Sequence, residues 1–300
     1  MKATRNKPAL PVQDKIFYAI TFVIMALLII ITGYPLLYIL SSSFSSRAAV
    51  LSGKVFLFPV DFSLEGYEAV FKNKDVLIGY RNTIFYTVAG TMINVFVTML
   101  AGYAFARKGW VLKKTMTKLF MFTMLFSGGM VPTYLLIRSL GMLNTVWVMI
   151  IPGAMTIHNM IIARTFIENN IPYELFEAAR IDGCDDFRYF IHIVLPLSAA
   201  ILAVLTLYYA VGHWNSYFSA LIYLNKRNMY PLQVFLREIL VLNQFSAEDI
   251  VDEELMQVKQ GMADLLKYSL IVVSTAPILC MYPFIQRYFV KGVMIGSVKG

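Results

Sequence analysis

Between positions 174 and 196 the chain reads Glu174-Leu175-Phe176-Glu177-Ala178-Ala179-Arg180-Ile181-Asp182-Gly183-Cys184-Asp185-Asp186-Phe187-Arg188-Tyr189-Phe190-Ile191-His192-Ile193-Val194-Leu195-Pro196. These residue types suit surface recognition and not bond making. Pro172 can open a helix, Glu174 and Glu177 favour its first turns, and Ala178 and Ala179 allow a second surface to come close. Gly183 supplies a stop at positive φ. Phe187, Phe190 and Ile191 then recur at i, i+3 and i+4, the signature of a second amphipathic helix. The predicted unit is helix, sharp turn, helix. By pattern alone it fits equally a docking element and a hairpin lying on lipid headgroups.

Groups for covalent or metal chemistry are not assembled anywhere in the sequence. There is no G-x-x-x-x-G-K-[ST] phosphate loop, and Ser127-Gly128-Gly129-Met130 lacks its lysine. His158, His192 and His213 are too far apart for a short metal motif, with no Cys or carboxylate cluster to join them. No G-x-S-x-G and no local Ser/His/Asp pattern occurs. Cys184, in a polar loop, and Cys280, in an apolar run, read as separate reduced thiols. The expectation is no catalytic residues, no metal and no cofactor in this chain.

The elements that must carry the loop are membrane spans. Of the 300 residues, 58% are hydrophobic and only 15% charged, far from the composition of a soluble domain. A helix needs roughly 20 apolar residues to cross the hydrocarbon core, where an unpaired N–H or C=O finds no partner. Six stretches qualify: 16–40, 80–106, 118–137, 145–166, 193–223 and 265–288. The first is too long for a signal-peptide core, lacks a cleavage site and is expected to remain attached. The division is an arm over residues 1–15, a six-helix domain over 16–288 and a tail over 289–300.

Lys2, Arg5, Lys7 and Lys15 in the arm, Arg107, Lys108, Lys113, Lys114 and Lys118 after the second span, Arg164, Arg180 and Arg188 around the fourth, and Arg287, Lys291 and Lys299 at the end fall on one side in mostly short segments. The positive-inside rule makes both termini cytoplasmic. The formal charge of +8 therefore reflects topology, not nucleic-acid binding. The loop 167–196 is then cytoplasmic, and the loops 41–79 and 224–264 exterior. The latter carries Glu248, Asp249, Asp252, Glu253 and Glu254 and is either a binding element or a solvated linker. All 18 Asp and Glu residues lie in loops or at span ends. An ion-coupled carrier needs an ionisable group inside the membrane, so the energy source is expected elsewhere. Pro35, Pro132, Pro152, Pro196, Pro277 and Pro283 predict kinked helices.

The spacing E-A-A, three residues, G, nine residues, I-x-L-P is met by Glu177, Ala178, Ala179, Gly183, Ile193, Leu195 and Pro196, with Asp182 completing a D-G pair. In this the chain resembles the inner-membrane permeases of binding-protein-dependent ABC importers. The runs Phe126-Ser127-Gly128-Gly129-Met130-Val131-Pro132-Thr133-Tyr134 and Leu140-Gly141-Met142-Leu143-Asn144-Thr145, with the ending from Tyr288 to Gly300, resemble the carbohydrate branch of MalG- and LplC-like permeases. The resemblance implies the all-α integral membrane permease fold of type I ABC importers, the MetI-like fold. It also implies a bacterial plasma-membrane location, a second homologous permease, an ATPase dimer holding ATP and Mg, and an extracellular or periplasmic solute-binding protein. Carbohydrate, best an oligosaccharide, is the implied cargo.

In that family the first short helix docks on the ATPase. Glu177 is then the charged contact, Gly183 the turn, and Leu195 with Pro196 the junction to the fifth span. Tyr209, His213, Asn215 and Tyr217 on that span, and Asn159 near the fourth, offer the aromatic faces and hydrogen-bonding groups a sugar path needs. Tyr209, His213 and Tyr217 are four apart and predicted to share a helix face; they fit an interfacial aromatic belt, or packing against a partner helix, equally. Two departures stand out. Cys184 occupies a position often filled by Ala, and Ala199-Ala200 replaces a Lys-Pro, so one kink is expected to be lost.

Overall fold

The computed structural model describes residues 11–245 and 253–297. Glu248, Asp249 and Asp252, the first ten residues of the arm and the last three of the tail lie outside these. Among the described residues regular structure is helical throughout.

The chain divides into two compact units, the first comprising residues 1–72 and 242–273. Its long element is α1 (Val12–Ser43), with a mean hydropathy of 2.6 over its most apolar window. Only Ser41, Ser42 and Ser43 of α1 are buried. These small polar residues let the chain fold tightly at the helix end. Ser41 Oγ donates to the Leu57 carbonyl at 2.7 Å, Ser43 Oγ meets Tyr67 Oη at 2.8 Å, and Ser45 Oγ accepts from Val60 N–H. The segment predicted as an exterior loop contains α2 (Arg47–Leu51), capped by Ser46, and α3 (Glu65–Lys72). Ala49, Val50 and Val55 form a small core with Leu265. Gly66 lies so close to Ser269 that a Cβ would collide with its hydroxyl.

The second unit, residues 73–241 and 274–300, is organised by α4 (Lys74–Ala106). Asn73 caps it by accepting from Asp75 and Val76 N–H. Asn82, Thr83, Thr87, Gly90, Thr91, Asn94, Thr98 and Gly102 are all among its buried residues. Ile84, Phe85, Val88, Met92 and Phe96 are exposed. Lipid drives no hydrophobic association between helices, so close packing of small residues and interhelical hydrogen bonds hold α4 inside the unit.

After α4 come α5 (Lys113–Leu125) and α6 (Met130–Ser139), bent by 114° about Phe126–Gly129, where Gly129 has φ +89°. A 3-10 turn (Val146–Met149) precedes α7 (Ile157–Asn170). Then follow α8 (Tyr173–Ile181), α9 (Asp186–Tyr189), a π-helical turn (Phe190–Val194), α10 (Leu195–Leu197), α11 (Ala199–Trp214) and α12 (Tyr217–Tyr223). Another 3-10 turn (Arg227–Met229) leads to α13 (Leu232–Phe245). The final helix, α14 (Glu253–Ser297), begins in the first unit and ends in the second. The 224–264 segment is thus largely helical where described.

Among the described residues three helices are long and apolar enough to cross a membrane: Val12–Ser43, Lys74–Ala106 and the Gly261–Met281 part of α14. The bent pairs α5 with α6, and Asp186–Leu197 with α11, raise the number to as many as five. The continuous stretch predicted over 145–166 is interrupted between the 3-10 turn and α7, where Pro152 and Gly153 disfavour a helix.

Candidate functional site

The Glu177 helix, α8, starts from Pro172 and ends as its residues require. Gly183 takes φ +75°, its N–H donates to the Arg180 carbonyl at 3.1 Å, and Cys184 N–H donates to the Ala179 carbonyl at 2.8 Å. This pair of bonds is a Schellman stop. No atom lies within 4 Å of where a Gly183 Cβ would stand, so the demand on that residue is conformational and not steric. Asp185 then caps α9 by accepting from Arg188 N–H at 2.8 Å. Pro196 has no N–H for the helix ladder, and the turn just before it is widened to a π-helix.

The chain bends by 85° at Ser198 although no proline follows Leu197. The kink expected to disappear with Ala199-Ala200 is therefore present. Ser198 is fully buried and interrupts the helix with φ −94° and ψ 18°. Ile193 and Leu195 are partly buried beneath this bend, and Pro196 is exposed.

The two alanines of α8 face opposite ways. Ala179, with Phe176, is buried in a core containing Tyr103, Tyr189, Phe190 and Val194. Ala178 is exposed together with Glu177, Asp182 and Gly183. Beside them Leu175 and the 87% exposed Ile181 on α8, and the 61% exposed Phe187 past the turn, present apolar side chains. Among the described residues Glu177 has no ion-pair partner. The outward edge of α8 thus sets an acid beside exposed apolar side chains, while its opposite face is held in the core.

The root is a set of residues that the sequence marked only as charges. Arg107, the C-cap of α4, places its guanidinium carbon 3.2 Å from the Phe176 ring centroid and pairs with Asp186 at 3.2 Å. Lys113 Nζ donates to the Arg107 carbonyl at 3.4 Å and to Glu168 at 2.9 Å, and Arg164 donates to the same carboxylate at 3.1 Å. Burial alone would raise the Glu168 pKa, but its bonds to Lys113 and Arg164 outweigh that and hold the carboxyl below its ordinary range. Nothing local in the sequence distinguishes Arg107 from the neighbouring topogenic cations.

The second candidate set is only partly brought together. Tyr209 and His213 share the buried face of α11 that meets α4. Tyr209 Oη bonds Thr98 Oγ1 at 2.7 Å and accepts from Thr156 N–H at 3.2 Å, while His213 Nε2 lies 3.0 Å from Asn94 Nδ2. Tyr217 does not share that face. The helix breaks after Trp214, and Tyr217 starts α12, where it packs against a different core that includes Tyr86 and Ile137. Asn215, at the break, is exposed and donates to the Val211 carbonyl. Asn159 is buried near the start of α7, its N–H donating to Thr156 Oγ1. Among the described residues no group of three His, Cys, Asp or Glu could hold a metal ion.

Together these features define a helical, multi-pass membrane protein with a rooted surface helix. No protein-family model matches the chain. It is 37% identical over 288 residues to the polygalacturonan/rhamnogalacturonan transport system permease protein YtcP of Bacillus subtilis, covering 96% of this chain and all of that protein. It is 41% identical to the protein LplC of the same organism, covering 90% of each. A crystal structure of a bacterial ABC transporter involved in the import of the acidic polysaccharide alginate matches with a TM-score of 0.85 at 33% identity, over 94% of this chain and 100% of that one. The chain belongs to the carbohydrate ABC transporter permeases.

Proposed function

We propose that this subunit pairs with a second, homologous permease to form an oligosaccharide path, and that an ATPase dimer carrying ATP and Mg drives it through α8. The observation that supports this best is the rooted helix with its outward edge of Glu177, Ala178 and Ile181 and its glycine-dependent stop. A six-span arrangement with both termini cytoplasmic fits if the broken 145–166 segment is counted with the three long helices and two bent pairs. The 224–264 segment then contacts the solute-binding protein. YtcP and the alginate importer both carry acidic polysaccharides in their names, so uronate oligomers are the first cargo to screen on that binding protein.

ATP can shift the permease between inward-open and outward-open forms only if it binds the closed ATPase dimer preferentially, and α8 must carry that difference across the interface. In the purified complex, Gly183→Pro and Glu177→Arg are expected to leave membrane insertion intact and to abolish substrate-stimulated ATP hydrolysis. Normal coupling in both variants sinks the assignment. Isolation of this chain as a carrier active without an ATPase would do the same, by favouring an ion-coupled mechanism.

A further inference from the structure

Two residues on opposite sides of the Gly183 turn converge on one side chain of α4. Phe176, on α8, lies under the Arg107 guanidinium, 3.2 Å from guanidinium carbon to ring centroid. Asp186, at the start of α9, pairs with the same group at 3.2 Å and accepts from Tyr103 Oη at 3.4 Å. Arg107 is also 5.7 Å from the Tyr103 ring and is only 22% exposed. A guanidinium is planar, so it can stack on a ring through its face while its edge donates to a carboxylate. A lysine ammonium has no planar face to stack.

We infer that Arg107 is the linkage through which movement of the docking loop reaches α4, a positioning residue of the transport cycle; this rests on the proposal that α8 is the ATPase-docking helix. The loop has a covalent route into the membrane through Leu195 and Pro196 to α11. Arg107 supplies a second route, to the neighbouring helix. Because it grips the loop both before and after the turn, the loop cannot shift as a body without drawing the end of α4 along or breaking both contacts. The backbone at Arg107 is itself tied down, its N–H donating to Ala104 and its carbonyl accepting from Lys113.

The test uses the whole transporter, with its own partner permease, ATPase and binding protein, in lipid nanodiscs. With Cys184→Ala and Cys280→Ala as background, spin labels are placed at Glu174 on α8 and at Met92 on the exposed side of α4. The distance from each to a fixed label on the partner permease is read before and after MgATP with vanadate. Both distances are expected to change in the parent chain. In Arg107→Met the α8 change is expected to persist and the α4 change to vanish, with complex yield and basal ATP hydrolysis retained and transport per ATP reduced about tenfold. Arg107→Lys, which keeps the charge but not the stack, is expected to recover part of the α4 change. An α4 change in Arg107→Met equal to the parent overturns the inference, and so does a loss of complex yield that parallels the loss of transport. An unmoving α8 label in the parent refutes the docking proposal instead.

Discussion

The amide nitrogen of Asn94 lies 3.0 Å from Nε2 of His213 and donates to the carbonyl of Gly153 at 3.1 Å. The second contact fixes the first. Turning the amide over would set two oxygens against each other at Gly153, so nitrogen must face both groups, and Nε2 must be the acceptor. His213 is thus neutral in this arrangement, with its proton on Nδ1. One side chain of α4 thereby joins α11 to the loop preceding α7.

Asn94→Leu removes that junction and leaves a ring nitrogen and a carbonyl without their donor. Hydrogen bonds between membrane helices are worth only about 0.6 kcal/mol on average, because the separated helices find other partners. Two such bonds are lost here, so a destabilisation of about 1 kcal/mol is expected. Asn94→Asp should cost more, since it turns an oxygen towards the Gly153 carbonyl. Thermal denaturation of the purified complex, comparing the two variants, provides the measurement; a higher melting temperature for Asn94→Asp than for Asn94→Leu contradicts the assigned amide orientation.

Gly90 makes the same junction possible by omission. A Cβ there would collide with the His213 ring, whereas a Cβ at Gly102 would stand 2.7 Å from the Ala163 methyl carbon on α7. Gly90→Ala is therefore expected to destabilise by about 1–3 kcal/mol through overpacking. Adding His213→Ala should return part of that loss, while the same change should do nothing for Gly102→Ala. The readout is a double-mutant cycle on thermal stability, and strict additivity of Gly90→Ala with His213→Ala argues against the contact.

How far these sites were legible in the sequence depends on the range of the interactions that make them. The helix and turn of α8 are legible in the sequence because Pro172, Glu177 and Gly183 act within a turn or two of themselves. The sharp bend between α5 and α6 had its signal in Ser127-Gly128-Gly129. By contrast, His213-Trp214-Asn215-Ser216 contains no glycine or proline between α11 and α12, so the four-residue spacing carries Tyr217 onto a face that it does not occupy. The role of Arg107 depends on the approach of α8 and α9 to the end of α4, which no local pattern records. The buried face of α4 lies between these cases: Thr83, Thr87, Gly90, Asn94 and Thr98 recur at three and four residues, but being uncharged they stand out less than an acid inside the membrane would.

Gly183 separates conformation from space. Alanine meets no neighbour there, so Gly183→Ala should cost only the left-handed backbone penalty, about 1–2 kcal/mol. Asparagine, which tolerates that region better, should cost less. Proline cannot reach φ +75° at all. Substrate-stimulated ATP hydrolysis is expected to fall in the order Gly, Asn, Ala, Pro. Equal activity in the alanine and proline variants would show that the turn geometry does not matter to coupling.

Glu168 gives the charge network a pH signature. Its pairing with Lys113 and Arg164 lowers the carboxyl pKa in the folded chain relative to the unfolded one, against the opposing effect of burial. A group depressed in this way contributes stability that is fully present above its unfolded value, near 4.5, and is lost as the pH falls through the lower folded value. The carboxylate is about one-third exposed, which limits the size of the effect through solvent screening. Glu168→Gln is expected to lower the melting temperature at neutral pH and to converge on the parent as both are acidified below the carboxylate range. If the gap between the two stays constant from neutral to that acidic limit, the charge on Glu168 does not contribute to holding Lys113 and Arg164 together.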